Sequence, residues 1–395
     1  MNFIRSTEHA QFVFRCTIVA VFLISHVGQA QTFTEVLETV RNTPYGDSSQ
    51  ASRSIFPWLS TIELRTESDE FELKRQSYQL RLTPNTPKIS KTRENYISLL
   101  QEQNVENSKE GHVRQLKHTA TEYLNNYYTL RKIGIEKDLL KAYEEELITY
   151  AGELTNVNLT SYDLLLLEQK IQEISAQIQM DSILISPSKT IARDIQIDGL
   201  IPVARIPSIL DQLDSQLSTE QEPSIKQQLV ESEIELEEAT RKRTVDFLQF
   251  EYSGPHNQLL RERWSIGLAL IFPIANNTWQ KIRELRIEKQ EVAEEAYTDF
   301  EDDVAKTKQK KQQLLKDIAI YNQNKVFVKK IAKTLDQGTS ESILEAIQLS
   351  ILLKEQTIGI QQKELQIYTD YLDLLEDHPA IDSPDTFLSQ ILTEQ

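Results

Sequence analysis

Apolar residues recur at helical three- and four-residue spacing along two long stretches of this chain, and at every second position in the short segments that precede them. The first stretch carries Val113, Leu116, Ala120, Tyr123, Tyr127 and Leu130, continues through Leu139, Tyr143, Leu147, Tyr150 and Leu154, and resumes at Leu164, Leu167, Ile171, Ile174 and Ile178. The second carries Leu314, Ile318, Tyr321, Val328, Ala332 and Leu335, then Leu365, Tyr368, Leu372 and Leu375. Such spacing gathers the apolar side chains into one narrow stripe of an α-helix. The prolines agree, because none lies between Pro87 and Pro187 or between Pro273 and Pro379. An interior proline costs a helix about 3 kcal/mol, so each proline-free stretch reads as a helical hairpin. The turns fall at 155–161 and 338–340, where Asn158 suits a left-handed backbone and Ser161 suits a cap. A helix from Ser90 to Leu154 would run roughly 100 Å, longer than a compact domain encloses. Residues 101–112 and 301–313 offer few apolar positions and read as solvated or pore-facing.

The period of two appears at Ile62, Leu64 and Thr66, and again at Tyr78, Leu80 and Leu82. It returns at Leu248, Phe250 and Tyr252, then at Trp264, Ile266, Leu268 and Leu270. Polar or small residues fill the alternate positions, among them Ser265, Gly267 and Ala269. The pattern predicts two strand hairpins, each followed by a helical hairpin, an internal repeat offset by about 180–190 residues. One apolar and one polar face suits a membrane barrel strand and equally a soluble sheet with one buried face. Two hairpins cannot close a barrel alone, so either reading needs oligomerisation or a second sheet.

The N-terminus tilts that choice. Arg5 and Arg15 supply positive charge ahead of the short apolar run Cys16 to Ile24, and small residues precede a cleavage position after Ala30. Residues 1–30 therefore read as a signal peptide, the run being too short for a spanning helix. Export, and the lack of any other core, favour the membrane reading. Cys16 is the only cysteine, so the mature chain holds no disulfide and no thiolate metal site. The net charge of −17 argues against nucleic-acid binding.

No catalytic constellation is visible. His112 and His118, six apart on one predicted helix, do not share a face and read as satisfied surface residues, while His256 and His378 are isolated. The ten glycines form no phosphate loop, and the carboxylates lie on helix faces. The chain reads as a non-enzyme without cofactor or metal.

The run Trp264 to Asn277 (WSIGLALIFPIANN) resembles the strand, proline and turn that open the second long helix of TolC-like outer membrane efflux proteins. Gly267, Phe272 and Pro273 keep that pattern, and Asn276 and Asn277 stand where the family usually has glycines. The segments Asn158–Leu164 and Gly338–Ala346 resemble the family's helix-to-helix turns, and Pro223-Ser224-Ile225 opens a counterpart of its rising helix. The ordered similarity covers residues 31–378.

The resemblance implies a mainly α chain with a membrane β-barrel portion, assembled as a homotrimer. Each protomer would give four strands to one barrel and its helical hairpins to a periplasmic tunnel. The expected segments are a signal peptide at 1–30, a short helical equatorial segment at 31–57 and barrel hairpin 1 at 58–83. Helical hairpin 1 follows at 84–186, then a linker with the rising helix at 187–244. Barrel hairpin 2 is expected at 245–272, helical hairpin 2 at 273–378 and a C-terminal tail at 379–395. The first repeat has only a short segment between Pro44 and Pro57 where the family has a full rising helix.

The resemblance also implies an outer membrane duct of a tripartite efflux or type I secretion system in a Gram-negative bacterium. A periplasmic adaptor and an inner membrane transporter would be its partners. Trp264, Ile266, Leu268 and Leu270 would face outer membrane lipid, and Asp163, Glu341 and Glu345 would lie at the periplasmic gate. Glu341 and Glu345 are four apart and can share a helix face. The competing reading is an exported periplasmic coiled-coil scaffold with no transport activity.

Overall fold

In a computed structural model of the chain, the described residues are 32–43, 59–68, 76–153, 161–185, 197–216, 224–253, 264–270, 277–338, 342–381 and 383–393. The expected signal peptide, the segment between Pro44 and Pro57, Asn158, His256 and Pro273 to Asn276 lie outside them. The elements in chain order are α1 (Phe33–Arg41), β1 (Leu59–Ser68), β2 (Gln76–Pro84), α2 (Pro87–Glu153), α3 (Ser161–Ile185), α4 (Ile206–Gln216) and α5 (Ile225–Arg241). After these come β3 (Val245–Ser253), β4 (Trp264–Leu270), α6 (Asn277–Asp336), α7 (Ile343–Glu376) and α8 (Pro384–Ile391). The order strand, strand, long helix, shorter helix thus occurs at 59–185 and again at 245–376. No described helix is long and apolar enough to cross a membrane.

The chain divides into two units, one of residues 1–43, 109–217 and 305–395, the other of 44–108 and 218–304. Both helical boundaries, at Ser108/Lys109 and Val304/Ala305, fall within the polar stretches at 101–112 and 301–313. There the helices have little apolar surface with which to hold neighbours, and residues 104–110 are all exposed.

The larger unit is helical. Its main core joins Phe33 and Leu37 of α1, Leu116, Ala120 and Leu124 of α2, Leu210 and Leu213 of α4, Leu314 and Ile318 of α6, Tyr371 and Leu375 of α7, and Phe387 and Ile391 of α8. A second cluster packs Leu139, Ala142 and Tyr143 of α2 against Leu167 of α3 and Ile351 of α7. Caps fix where these helices start. The Thr32 side chain accepts from the Glu35 amide while the Glu35 carboxylate accepts from Thr32, a reciprocal pair that satisfies two otherwise orphaned donors. Ser342 and Ser383 cap α7 and α8 in the same way on one side, accepting from the amides of Glu345 and Thr386. Gly338, at φ +58°, ends α6 in the left-handed conformation that only glycine adopts at little cost.

Two readings of the sequence are corrected in this unit. His112 is not a surface residue: its Nε2 lies 2.9 Å from the Val40 carbonyl and the side chain is buried. His378 is not isolated either, because it is buried with Nε2 3.6 Å from Asp214 Oδ1. The segment 379–395, expected as a tail, carries α8. It is tied down by hydrogen bonds from the Ile201 amide to the Ile391 carbonyl at 3.0 Å and from the Thr393 amide to the Gly199 carbonyl at 2.7 Å.

The smaller unit combines the sheet with α5 and the first parts of α2 and α6. Val230 and Ile234 of α5 pack on Ile282 and Leu285 of α6. Charged pairs line both sides of that seam: Glu231 with Lys289 at 3.0 Å, Glu238 with Arg286 at 3.1 Å, and Glu233 and Glu237 with Lys281. The Arg241 guanidinium lies 3.8 Å over the Trp279 ring. Exposed pairs each contribute little, so the apolar contacts carry the packing and the charges set its register.

Candidate functional site

The strand hairpins join into one four-stranded antiparallel sheet in the order β1-β2-β3-β4. Because strand side chains alternate between faces, the pairing register decides whether four separate alternations make one face. Leu64 is opposite Leu80, Leu80 opposite Phe250, and Phe250 opposite Ile266. The adjoining rows are Ile62, Leu82, Leu248 and Leu268 on one side, and Thr66, Tyr78, Tyr252 and Trp264 on the other. Each row crosses all four strands, so the apolar positions form a continuous surface.

That surface is open. Ile266 is 75% exposed and Leu64 68%, and Trp264, Leu268 and Leu270 are each more than half exposed. The Tyr252 and Trp264 rings lie 4.9 Å apart on it. A continuous exposed apolar surface of this kind marks contact with another apolar phase or partner.

The opposite face carries the rows Arg65, Gln79, Glu251 and Ser265, and Glu63, Arg81, Gln249 and Gly267. Arg65 Nη2 donates to Glu63 Oε2 at 3.2 Å, and the Arg81 guanidinium lies 3.8 Å from the Phe247 ring centre. Alternation itself puts Phe247 on this polar face with Gln249 and Glu251, and the register shift lies just before it, between Val245 and Phe247. β1 and β4 are the outer strands of the sheet and each has one unpaired edge among the described residues.

Within the helical unit, the second set of expected residues gathers around the N-termini of α3 and α7. Asp163 lies in the first turn of α3 and Glu345 in the first turn of α7, both exposed. Glu341 lies outside the described residues. A network ties the first turns of α7 to the C-terminal turns of α2. Gln348 Nε2, one turn beyond Glu345, donates to Tyr150 Oη at 2.9 Å and to Glu146 Oε1 at 3.2 Å. Tyr143 Oη donates to Glu355 Oε1 at 2.6 Å. Burial pushes the Tyr150 phenol up, as do the nearby carboxylates of Glu146 and Asp163, so it stays protonated. These bonds cross from α2 to α7. The sequence reading missed them, although tyrosine in place of leucine at two stripe positions signals a polar partner for its hydroxyl.

Farther along the same unit, Lys132 bridges two buried carboxylates, at 2.7 Å from Asp181 Oδ2 of α3 and 3.4 Å from Glu136 Oε1 of α2. Burial pushes the Glu136 carboxyl up although the Lys132 ammonium pulls it down. Lys311 Nζ sits 2.8 Å from Asp211 and 2.5 Å from Asp214, tying α6 to α4. Among the described residues no group of three or more His, Cys, Asp or Glu side chains is placed to hold a metal ion.

No protein-family profile matches the sequence, and no curated protein sequence does. Solved structures do match. The Campylobacter jejuni CmeC outer membrane channel aligns at a TM-score of 0.52 and 10% identity, over 82% of this chain and 77% of that one. A membrane protein from Pseudomonas aeruginosa aligns at a TM-score of 0.50 and 13% identity, over 80% of this chain and 82% of that one.

Proposed function

We propose that this chain, whose fold is that of the TolC-like outer membrane channels, is itself an outer membrane channel subunit and a passive duct without catalysis. The observation that carries the reading is the sheet register. Four strands put their apolar side chains on one exposed face and polar side chains on the other, and leave two edges unpaired. In hydrocarbon no backbone group can stay unpaired, so such a sheet must close, and closure with four strands per chain calls for further copies. We read three copies forming one barrel, with Trp264, Ile266, Leu268 and Leu270 toward lipid and Ser265, Gly267 and Ala269 toward the lumen. The helical hairpins would form the periplasmic part of the duct, working with a periplasmic adaptor and an inner membrane transporter that supplies the energy.

The periplasmic gate is assigned to the helix turns, at Asp163, Glu341 and Glu345. Three-fold symmetry would turn any inward carboxylate there into a negative ring, which attracts cations and hinders anions. Purified protein in planar bilayers is expected to give discrete, cation-preferring conductance steps. The double variant Glu341→Gln, Glu345→Gln is expected to lose that preference. Protein with intact β and helical circular dichroism but no conductance would overturn the channel reading. Unchanged selectivity in the double variant would remove only the gate assignment.

A further inference from the structure

A cleft of about 310 Å³ opens in the helical unit where α2, α6 and α7 meet the segment 197–204. Four tyrosines line it: Tyr127 and Tyr128 from α2, Tyr321 from α6 and Tyr368 from α7. The Tyr127 and Tyr128 rings meet edge to face at 5.2 Å. Tyr368 Oη donates to the Ile201 carbonyl at 2.9 Å, which locks that ring in place. Burial pushes the Tyr128 and Tyr321 phenols up, and the neighbouring Glu364 carboxylate adds to it, so both remain neutral donors at any physiological pH.

The charges in the cleft run against those of the chain. The whole sequence carries −17, yet this lining holds two cations, Arg131 and Lys325, and a single carboxylate, Glu364. Both cations are exposed at the rim and lean on tyrosines: Arg131 Nη1 is 3.3 Å from Tyr127 Oη, and Lys325 Nζ lies 3.4 Å from Tyr321 Oη. Glu364 lies beside Tyr321, whose phenol it helps to push up, and with the two cations it leaves the lining net positive. Neither tyrosine hydroxyl neutralises a cation, so a carboxylate placed between the two would gain charge-assisted bonds that the empty cleft lacks.

We propose that this cleft binds a small aromatic monocarboxylate, its ring against the tyrosine faces and its carboxylate between Arg131 and Lys325. The volume suits a one- or two-ring compound, and tyrosine faces and edges suit a flat apolar body. The proposal is independent of the channel reading, since none of these groups belongs to the sheet or to the helix turns. An occupant would touch α2, α6 and α7 together and so brace the helices against one another.

The probe is 1-naphthoate, titrated calorimetrically into the detergent-purified full chain, with 1-naphthylmethylammonium as the charge-reversed control. Saturable binding at one site per chain is expected for 1-naphthoate and none for the ammonium compound. Arg131→Gln and Lys325→Gln are each expected to weaken binding about tenfold, the loss of one charge-assisted bond. Glu364→Gln is expected to tighten it by removing the one like charge. Both rim residues are exposed, so their variants should keep wild-type circular dichroism. Absence of saturable 1-naphthoate binding, affinity unmoved by both rim variants, or preference for the ammonium probe would each overturn the proposal.

Discussion

His378 Nδ1 accepts the Ala380 amide proton at 3.2 Å, which fixes the proton of the neutral ring on Nε2, facing Asp214. Burial lowers its pKa from the ordinary 6.5, and Asp214 only partly offsets that while Lys311 adds to it. A depressed histidine means that the unfolded chain takes up a proton that the folded chain refuses. Stability from this site is therefore full above the ordinary pKa and is lost as pH falls from 6.5 toward the depressed value. Between about pH 7 and about pH 5.5, the wild-type melting temperature should fall more than that of His378→Asn, whose amide oxygen can still accept from Ala380. Equal losses would mean that His378 titrates as an exposed histidine does. The burial and the Asp214 partner were not legible in the sequence, because Asp214 lies far from His378 along the chain. On the sheet the residue scale was legible, because strand geometry converts sequence parity directly into a face. Leu268→Arg should cost about 2–4 kcal/mol if the residue lies near the bilayer midplane, and Ser265→Arg much less. Urea titration of the two variants in detergent or lipid would compare them; equal tolerance would remove the lipid-facing assignment.

Helical elements followed the sequence in existence and order, and departed from it in the rotation of their stripes. Val113, Leu116, Ala120 and Tyr123 are buried as the spacing requires, but the stripe then moves to Leu124 and Tyr128, leaving Tyr127 and Leu130 half-buried. On α6 likewise Ile331 is buried where Val328 and Ala332 were expected. A helix that changes partners along its length must turn its apolar face with them, and a single chosen period cannot follow that turn. On α7 the burial of Ile367, Tyr371 and Leu374 beside Tyr368, Leu372 and Leu375 widens the stripe, since other elements crowd its C-terminal half. One of those elements is α8, invisible to periodicity because it has only eight residues. Ser383-Pro384 was its legible signal, a capping serine followed by proline at the first helical position. Phe387 is fully buried, so Phe387→Ala should cost about 3–5 kcal/mol by leaving a cavity in the main core. Thermal unfolding of the full chain checks this; a loss under about 1 kcal/mol would mean that α8 is a replaceable tail.

At the scale of the whole molecule, the outer edges of β1 and β4 are unpaired among the described residues, and under the proposed membrane placement the cost of those edges would decide the assembly. Neither edge pairs within the described sheet, and in the proposed barrel each meets a strand from another copy. Under cyclic symmetry β1 of one chain then lies beside β4 of the next, and the faces must match: Glu63, Arg65 and Glu67 of β1 share the polar face with Ser265 of β4. The chain's single cysteine, Cys16, lies in the expected signal peptide, so introduced cysteines would stand on a clean background. We expect a trimer by mass measurement in detergent. Double variants placing cysteine at Ser265 and at Glu63, Arg65 or Glu67 in turn should, at one register, oxidise to covalent dimers and closed trimers. Only neighbouring strands bring two cysteine Cα atoms within the roughly 4.4–6.8 Å that a disulfide spans. Matched pairs on opposite faces, Leu64 with Ser265, should stay reduced, because alternation points their side chains apart. A stable monomer with full β signal, or equal cross-linking of same-face and opposite-face pairs, would show that β1 and β4 do not meet in an ordered barrel.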